Sequence, residues 1–297
     1  MKVLVAVDTT LSCHEAVRAA AARPWPAGSS FLLVTAIDPF FFAPAPALLD
    51  QAKKCARQHL EHTAECLQHA GWSAATDLIL GNPRRAISGF AHDWKADLVM
   101  VGSRDPSDAK RLFLGSTTRS VLRRAPCSVE IVRTVDRKNR SNTDTGMKLL
   151  VATDGSEFSV AAIRSVATRP WPEGTRVKVI SAPALVLLLR ECPYFEQHQV
   201  EELNVASMDE SHKAAAWAVG ILSKSGLPVH SHVPLLHDTP SKVILDEAEK
   251  WHADMIVVGS HGRSGFDRLT MGSVSEAVAL HAGCSVEVIR ERSQSAE

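Results

Sequence analysis

The residues of this chain whose types and spacing could do chemistry are Gly259-Ser-His-Gly262 and, after nine intervening residues, Gly272-Ser273. They follow a hydrophobic run, Asp254 to Val258, that reads as a buried parallel strand. Glycine lacks the Cβ that keeps a backbone N–H away from an anion, and a Gly-Ser pair opening a helix points amides and a hydroxyl at one. The chemistry is therefore anion binding, with the amides of Ser273 and Val274 at a helix N-terminus as donors. Arg263 and Arg268 lie in the intervening segment and are candidate phosphate contacts, although loop arginines are more commonly solvated. A damaged copy of the motif occurs earlier as Gly102-Ser-Arg-Asp105, nine residues, Gly115-Ser116. There Asp105 replaces the second glycine and sets a negative charge where an anion would sit, which costs affinity.

Turnover is poorly supported. The Gly-Lys-Ser/Thr signature that places a lysine and a Mg²⁺ ligand on transferring phosphates is absent. Ser260 and His261 are adjacent, an arrangement that rarely aligns nucleophile and base, and no G-x-S-x-G elbow is present. Cys55, His59, His62, Cys66 and His69 fall along one side of a helical pattern and are of metal-ligand type. Ala56, Leu60 and Leu67 beside them define a core-facing stripe, so a flank of the core is favoured and no metal is assigned. His230 and His232 share a strand face and carry less weight still.

The elements that must position the motif come as a duplicated set. Val3-Leu-Val-Ala-Val-Asp8 matches Leu149-Leu-Val-Ala-Thr-Asp154, and Arg23-Pro-Trp-Pro26 matches Arg169-Pro-Trp-Pro172; later, Trp94 matches Trp251 and Cys127 matches Cys284. A period this long fits two whole domains. The boundaries read as 1–135, a polar linker 136–146, 147–291 and a tail 292–297. In the second half, strands are expected at 148–153, 177–181, 229–235, 255–258 and 285–289. Helices are expected at 157–168, within 196–225, at 241–251 and at 273–281, with Ser156 and 239–241 as caps. Such alternation predicts an α/β fold: two tandem doubly wound domains, each a parallel sheet with helices on both faces. With strand order 3-2-1-4-5, strands one and four are neighbours, so Asp154 and Gly259 would face one crevice at the carboxyl ends of the strands.

Thirty-three basic residues balance thirty-three acidic ones at pI near 7.2, so no global field favours nucleic acid or anionic lipid. The apolar run beginning at Met1 is too short for a secretory signal and reads as a first strand, and no stretch has the length of a membrane span. A cytoplasmic protein with reduced cysteines is expected, Cys127 and Cys284 being small buried hydrophobes. Phe40-Phe-Phe42 and Tyr194-Phe195 read as loop packing over the sheet.

Through Val-Ala-Thr-Asp-Gly-Ser156, Val257-Val-Gly-Ser-His-Gly262 and Gly272-Ser273, both halves resemble the universal stress protein family, and the chain resembles its tandem members. The resemblance implies five-stranded, adenine nucleotide alpha-hydrolase-like (Rossmann-like) domains. It also implies that ATP, with Mg²⁺ as a candidate companion, is held by Asp154, Gly259, Gly262, Gly272 and Ser273. Arg263 and Val274 join these from the reading of the residues. Asp8, Gly102, Gly115 and Ser116 remain as a degenerate site in the first half, where Thr9-Thr10 replaces Gly155-Ser156. Asp238-Thr-Pro240 departs from the family's Gly-x-Pro, kept here as Gly81-Asn-Pro83. The resemblance further implies that the final strands, 128–133 and 285–290, join the domains as an intramolecular pseudo-dimer; a homodimer of whole chains stays open as a further partner, with no residue named for it. The function expected is a stress-response regulator that binds ATP in its C-terminal domain without dedicated catalysis. Alternatives are a protein-interaction module that binds no nucleotide and a weak ATP hydrolase.

Overall fold

The computed structural model of this 297-residue chain describes residues 1–8, 11–103, 114–133, 146–183, 196–235, 238–263 and 271–291, with only the backbone of Leu11 and Ser12. Arg104, Asp105, Thr9, Thr10, Arg268, Cys192 and Tyr194-Phe195 lie outside the described residues, as does most of the expected linker. The chain divides into two compact units, Met1–Asp136 with Arg290–Glu297 assigned to it, and Arg137–Ile289.

In the first unit the order is β1 (Lys2–Ala6), α1 (Leu11–Ala22), β2 (Ser30–Ile37), α2 (Pro46–His69), β3 (Ser73–Leu80), α3 (Pro83–Asp93), β4 (Leu98–Gly102), α4 (Ser116–Arg124) and β5 (Ser128–Val132). The second repeats it as β6 (Lys148–Ala152), α5 (Glu157–Thr168), β7 (Arg176–Ile180), α6 (Gln197–Leu222), β8 (Val229–His232), α7 (Pro240–Trp251), β9 (Met255–Gly259), α8 (Ser273–His281) and β10 (Ser285–Ile289). Within each unit the strands lie in the order third, second, first, fourth, fifth, and every pair is parallel. The doubly wound fold follows from the composition of these runs. Val, Leu and Ile fill β4 and β9, which are buried along nearly their whole length, as strands covered on both faces must be.

Local chemistry fixes where helices start and stop. The Ser156 side chain accepts from the Ser159 amide and opens α5, while Asn82 does the same for Arg84 ahead of Pro83. Thr239, in the place of Asn82, opens α7 without a side-chain capping bond, and the Asp238 carboxylate accepts from the Thr239 amide at 2.8 Å. Lys95 and His252 take matching left-handed conformations, φ 57° and 53°, just after α3 and α7. The strand expected over 229–235 ends at His232, because Pro234 has no N–H to continue a ladder.

Each Arg-Pro-Trp-Pro sequence locks its unit from inside. Arg23 donates to Glu130 at 2.6 Å, and Arg169 donates through both terminal nitrogens to Glu287 at 2.8 and 2.7 Å. Each guanidinium also lies over the neighbouring indole, at 5.0 Å from Trp25 and 4.9 Å from Trp171. The indole N–H groups donate to the carbonyls of Ala20 and Val166, near the ends of α1 and α5. One charged residue in the middle of an apolar final strand is thus neutralised by the residue that ends the first helix. Cys127 and Cys284 are buried at equivalent places. Phe40 and Phe41, expected as packing over the sheet, are instead exposed in a short 3₁₀ turn, Pro39–Phe42.

Candidate functional site

Strands β6 and β9 pair in parallel with Leu149, Leu150 and Val151 opposite Met255, Ile256 and Val257. Their carboxyl ends therefore open side by side, and Asp154 and Gly259 leave the sheet at one crevice. The loop after β9 folds back across it. The Asp154 carboxylate accepts from the amides of Ser156 at 3.0 Å and Arg263 at 3.1 Å. Two N–H groups are fixed on an oxygen pair that offers about four acceptor positions, so acceptor capacity is left for a hydroxyl.

Each motif glycine has a distinct geometric reason. A Cβ on Gly259 would lie 2.5 Å from the Phe158 carbonyl carbon, so this glycine lets the strand end pass against the start of α5. A Cβ on Gly262 would lie 2.8 Å from Asp154 Oδ2, so this glycine brings the loop amide onto the acid. At Gly272 the nearest atoms are His261 Cα at 3.1 Å and the Ser260 carbonyl at 3.2 Å, and the Gly272 amide donates to that carbonyl at 2.9 Å. Gly272 then caps α8 with φ −63° and ψ 142° and no side-chain bond. The amides of Ser273 and Val274 stand in the first turn, where no intrahelical acceptor exists. The turn is pinned to the strand by Ser275, whose buried hydroxyl donates to the Gly259 carbonyl at 2.6 Å.

Ser260 and His261 are buried and bonded to each other at 3.0 Å, with His261 against the Phe158 ring. They face the protein and form the floor of the loop. The Arg263 side chain, about half exposed, bends back over the crevice. Its Nε donates to the Asp154 carbonyl at 2.5 Å, and another guanidinium nitrogen bonds Glu210 on α6. The sequence offered Arg263 as a phosphate contact; the structure holds its side chain on the Asp154 backbone carbonyl and the Glu210 carboxylate, and Glu210 had no signal in any motif.

The first unit keeps the frame of this site. Gly102 ends β4, Gly115 caps α4 with φ −55° and ψ 148°, and Thr118 donates to the Gly102 carbonyl at 2.9 Å as Ser275 does to Gly259. Asp8 stands at the exit of β1, its carbonyl accepting from Cys13 and His59. Of the five ligand-type residues on α2, Cys55, His62, Cys66 and His69 are exposed, and His59 alone turns in toward this strand exit. Among the described residues, no helix is long and apolar enough to cross a membrane.

The family model for the universal stress protein family matches this chain twice, at residues 1–133 and 147–290. A universal stress protein of Mycolicibacterium smegmatis is 27% identical over 301 residues, covering 98% of this chain and 97% of its own length. One from Methanocaldococcus jannaschii is 27% identical over 155 residues, 51% of this chain and 86% of its own. Among solved structures, a universal stress protein from Archaeoglobus fulgidus superposes with TM-score 0.66 at 20% identity, covering 98% of this chain and 97% of its own. A Pseudomonas aeruginosa structure gives 0.57 at 19% identity, with 97% and 92% covered. With one match in each half and relatives that run its full length, the chain belongs to the universal stress protein family as a tandem protein of two such domains.

Proposed function

We propose that the second unit binds ATP in the crevice between the exits of β6 and β9, and that occupancy alters the surface offered to partners in a stress response. The observation that carries this is the convergence of Asp154, the Gly262-Arg263 backbone and the uncapped start of α8 on one opening. Asp154 suits a ribose hydroxyl, while the amides of Ser273 and Val274 and the Ser273 hydroxyl suit phosphates at a positive helix end. Arg263 is the cation at hand, with Mg²⁺ accompanying the phosphates. Gly259 and Gly272 act by permitting close backbone packing, and only Gly262 keeps a Cβ off the acid itself. The protein works by binding rather than turnover, since no lysine occurs between Gly259 and Glu276 to face a transferring phosphate. In the first unit the same frame carries Asp105 in place of the second glycine and is taken as empty of nucleotide.

The test is release and mass analysis of small molecules from protein purified without nucleotide, beside ATP titration of the stripped protein. About one ATP per chain is expected. Gly262→Asp places a second carboxylate against Asp154. The same carboxylate also stands beside the phosphate position, where a like charge ~4 Å away costs the bound state about 4 kcal/mol at an effective dielectric of ~20, and even part of that lowers affinity by about 100-fold or more. Normal binding by this variant removes the residue assignment. No carried and no titratable nucleotide removes ATP altogether and leaves an interaction module. Mg²⁺-dependent phosphate release that disappears in Ser273→Ala would establish a hydrolase instead.

A further inference from the structure

The strand exit of the first unit carries a different chemistry from its twin. Cys13 and His14 stand in the first turn of α1, and His59 reaches them from α2. One ligand atom from each, Sγ and two imidazole nitrogens, lie within 4.8 Å of one another. The His14 and His59 rings meet edge to face at 5.6 Å. Cys13 is buried, His59 half-buried and His14 exposed, so the cluster has a closed floor and an open mouth.

Two of the three donors meet at one backbone oxygen. The Asp8 carbonyl accepts from the Cys13 thiol at 2.8 Å and from His59 Nε2 at 3.0 Å.

Among the described residues, the exit of β6 in the second unit gathers no such cluster. Ser159 and Val160 occupy the places of Cys13 and His14. There the acid's carbonyl accepts from Arg263, and α6 brings Glu210 and Ala214 to the strand exit in place of an imidazole. Among the described residues, this gathering of a thiol and two imidazoles occurs at the strand exit of the unit whose anion loop carries Asp105.

We propose that Cys13, His14 and His59 form a zinc-binding site at the exit of β1, with the carboxylate of Asp8 as the neighbouring oxygen donor. Thiolate and imidazole together suit zinc in a four-coordinate shell, with Zn–S near ~2.3 Å and Zn–N near ~2.0–2.1 Å. Those bond lengths put tetrahedral ligand atoms about 3.3–3.6 Å apart, so the present cluster closes by rotation of His14 and His59 about their side-chain bonds. The site does not depend on the nucleotide reading of the second unit.

The experiment is titration of the full, chelator-stripped and reduced chain with Co²⁺ as a spectroscopic stand-in, followed by displacement with Zn²⁺. Expected are a near-ultraviolet thiolate-to-cobalt band and visible bands of tetrahedral strength, saturating at about one metal per chain and erased by zinc. Cys13→Ser keeps the size and the bond to Asp8 and loses the thiolate band. His14→Ala, an exposed change that leaves the core intact, weakens the visible bands and the zinc affinity; circular dichroism checks the fold of both. Cys55→Ser/Cys66→Ser retains the whole spectrum. The proposal is overturned if no thiolate band develops, if it survives Cys13→Ser, or if Cys55→Ser/Cys66→Ser abolishes it. It is overturned equally if copper(I) binds at these residues while cobalt and zinc do not.

Discussion

Gly259 and Gly262 share one residue type and part of one motif, yet their surroundings assign them opposite consequences. A methyl at Gly259 meets the Phe158 backbone, which cannot swing aside, so Gly259→Ala is expected to destabilise the second unit by about 1–3 kcal/mol in urea unfolding. A methyl at Gly262 meets only a carboxylate oxygen, so Gly262→Ala is expected to leave unfolding nearly unchanged and to weaken ATP binding. Equal effects on both properties would remove the distinction. Arg263 adds a third case. Its pairing with Glu210 is about half exposed, 49% and 57%, so Glu210→Gln should change stability by no more than about 1 kcal/mol. The same change frees the guanidinium and removes a negative charge from the crevice, and up to about tenfold tighter ATP binding is expected by calorimetry. The glycine spacing was legible in the sequence because it is local. Glu210 was not, because α6 meets the loop only through tertiary contact, and neither was the pairing of His59 with Cys13, since the two lie on different helices. The helical pattern exposed only the five donors of α2, four of which point to solvent.

At the scale of elements, the buried Arg–Glu pairs set the expected sensitivities. Arg169 and Glu287 are 9% and 0% exposed, so Arg169→Ala strands a buried carboxylate and should cost about 3–5 kcal/mol. Arg169→Met with Glu287→Leu removes both charges and should recover most of that loss; denaturant midpoints of the two variants decide it. Farther along the sheet, Lys178 on β7 holds Glu247 of α7 at 2.6 Å, and His230 of β8 stacks edge-on to Trp251. Burial first, and then the Lys178 and His232 charges, hold the His230 pKa below 6.5 against the opposing charge of Glu247. The unfolded chain therefore takes up the proton more readily. Stability from this group is present above 6.5 and declines as pH falls below it. His230→Phe should flatten the part of the thermal midpoint's decline between pH 7 and 5 that this residue supplies. Most element ends in the second half were readable from caps and apolar runs. β8 was read too long because its apolar pattern continues past Pro234, where the ladder cannot.

For the molecule as a whole, two units with one frame and unequal loops predict an asymmetric response. Saturating ATP, at ~100 times its dissociation constant, should stabilise the second unit by about 2.7 kcal/mol. Hydrogen exchange should slow at 257–263 and 272–276 and remain unchanged at 98–103 and 115–118; equal protection in both would show that the first site also binds nucleotide. The duplication, the doubly wound sheets and the strand order could all be read from the sequence, because β-branched runs and repeated motifs dictate them. The ion pairs were hidden in a repeated Arg-Pro-Trp-Pro string whose partner glutamates lie more than a hundred residues away. That separation makes each opening changeable on its own: the residues that lock each sheet are not those at its exit, so the two mouths differ, Cys13 and His14 against Ser159 and Val160, while both interiors keep the same ion pair.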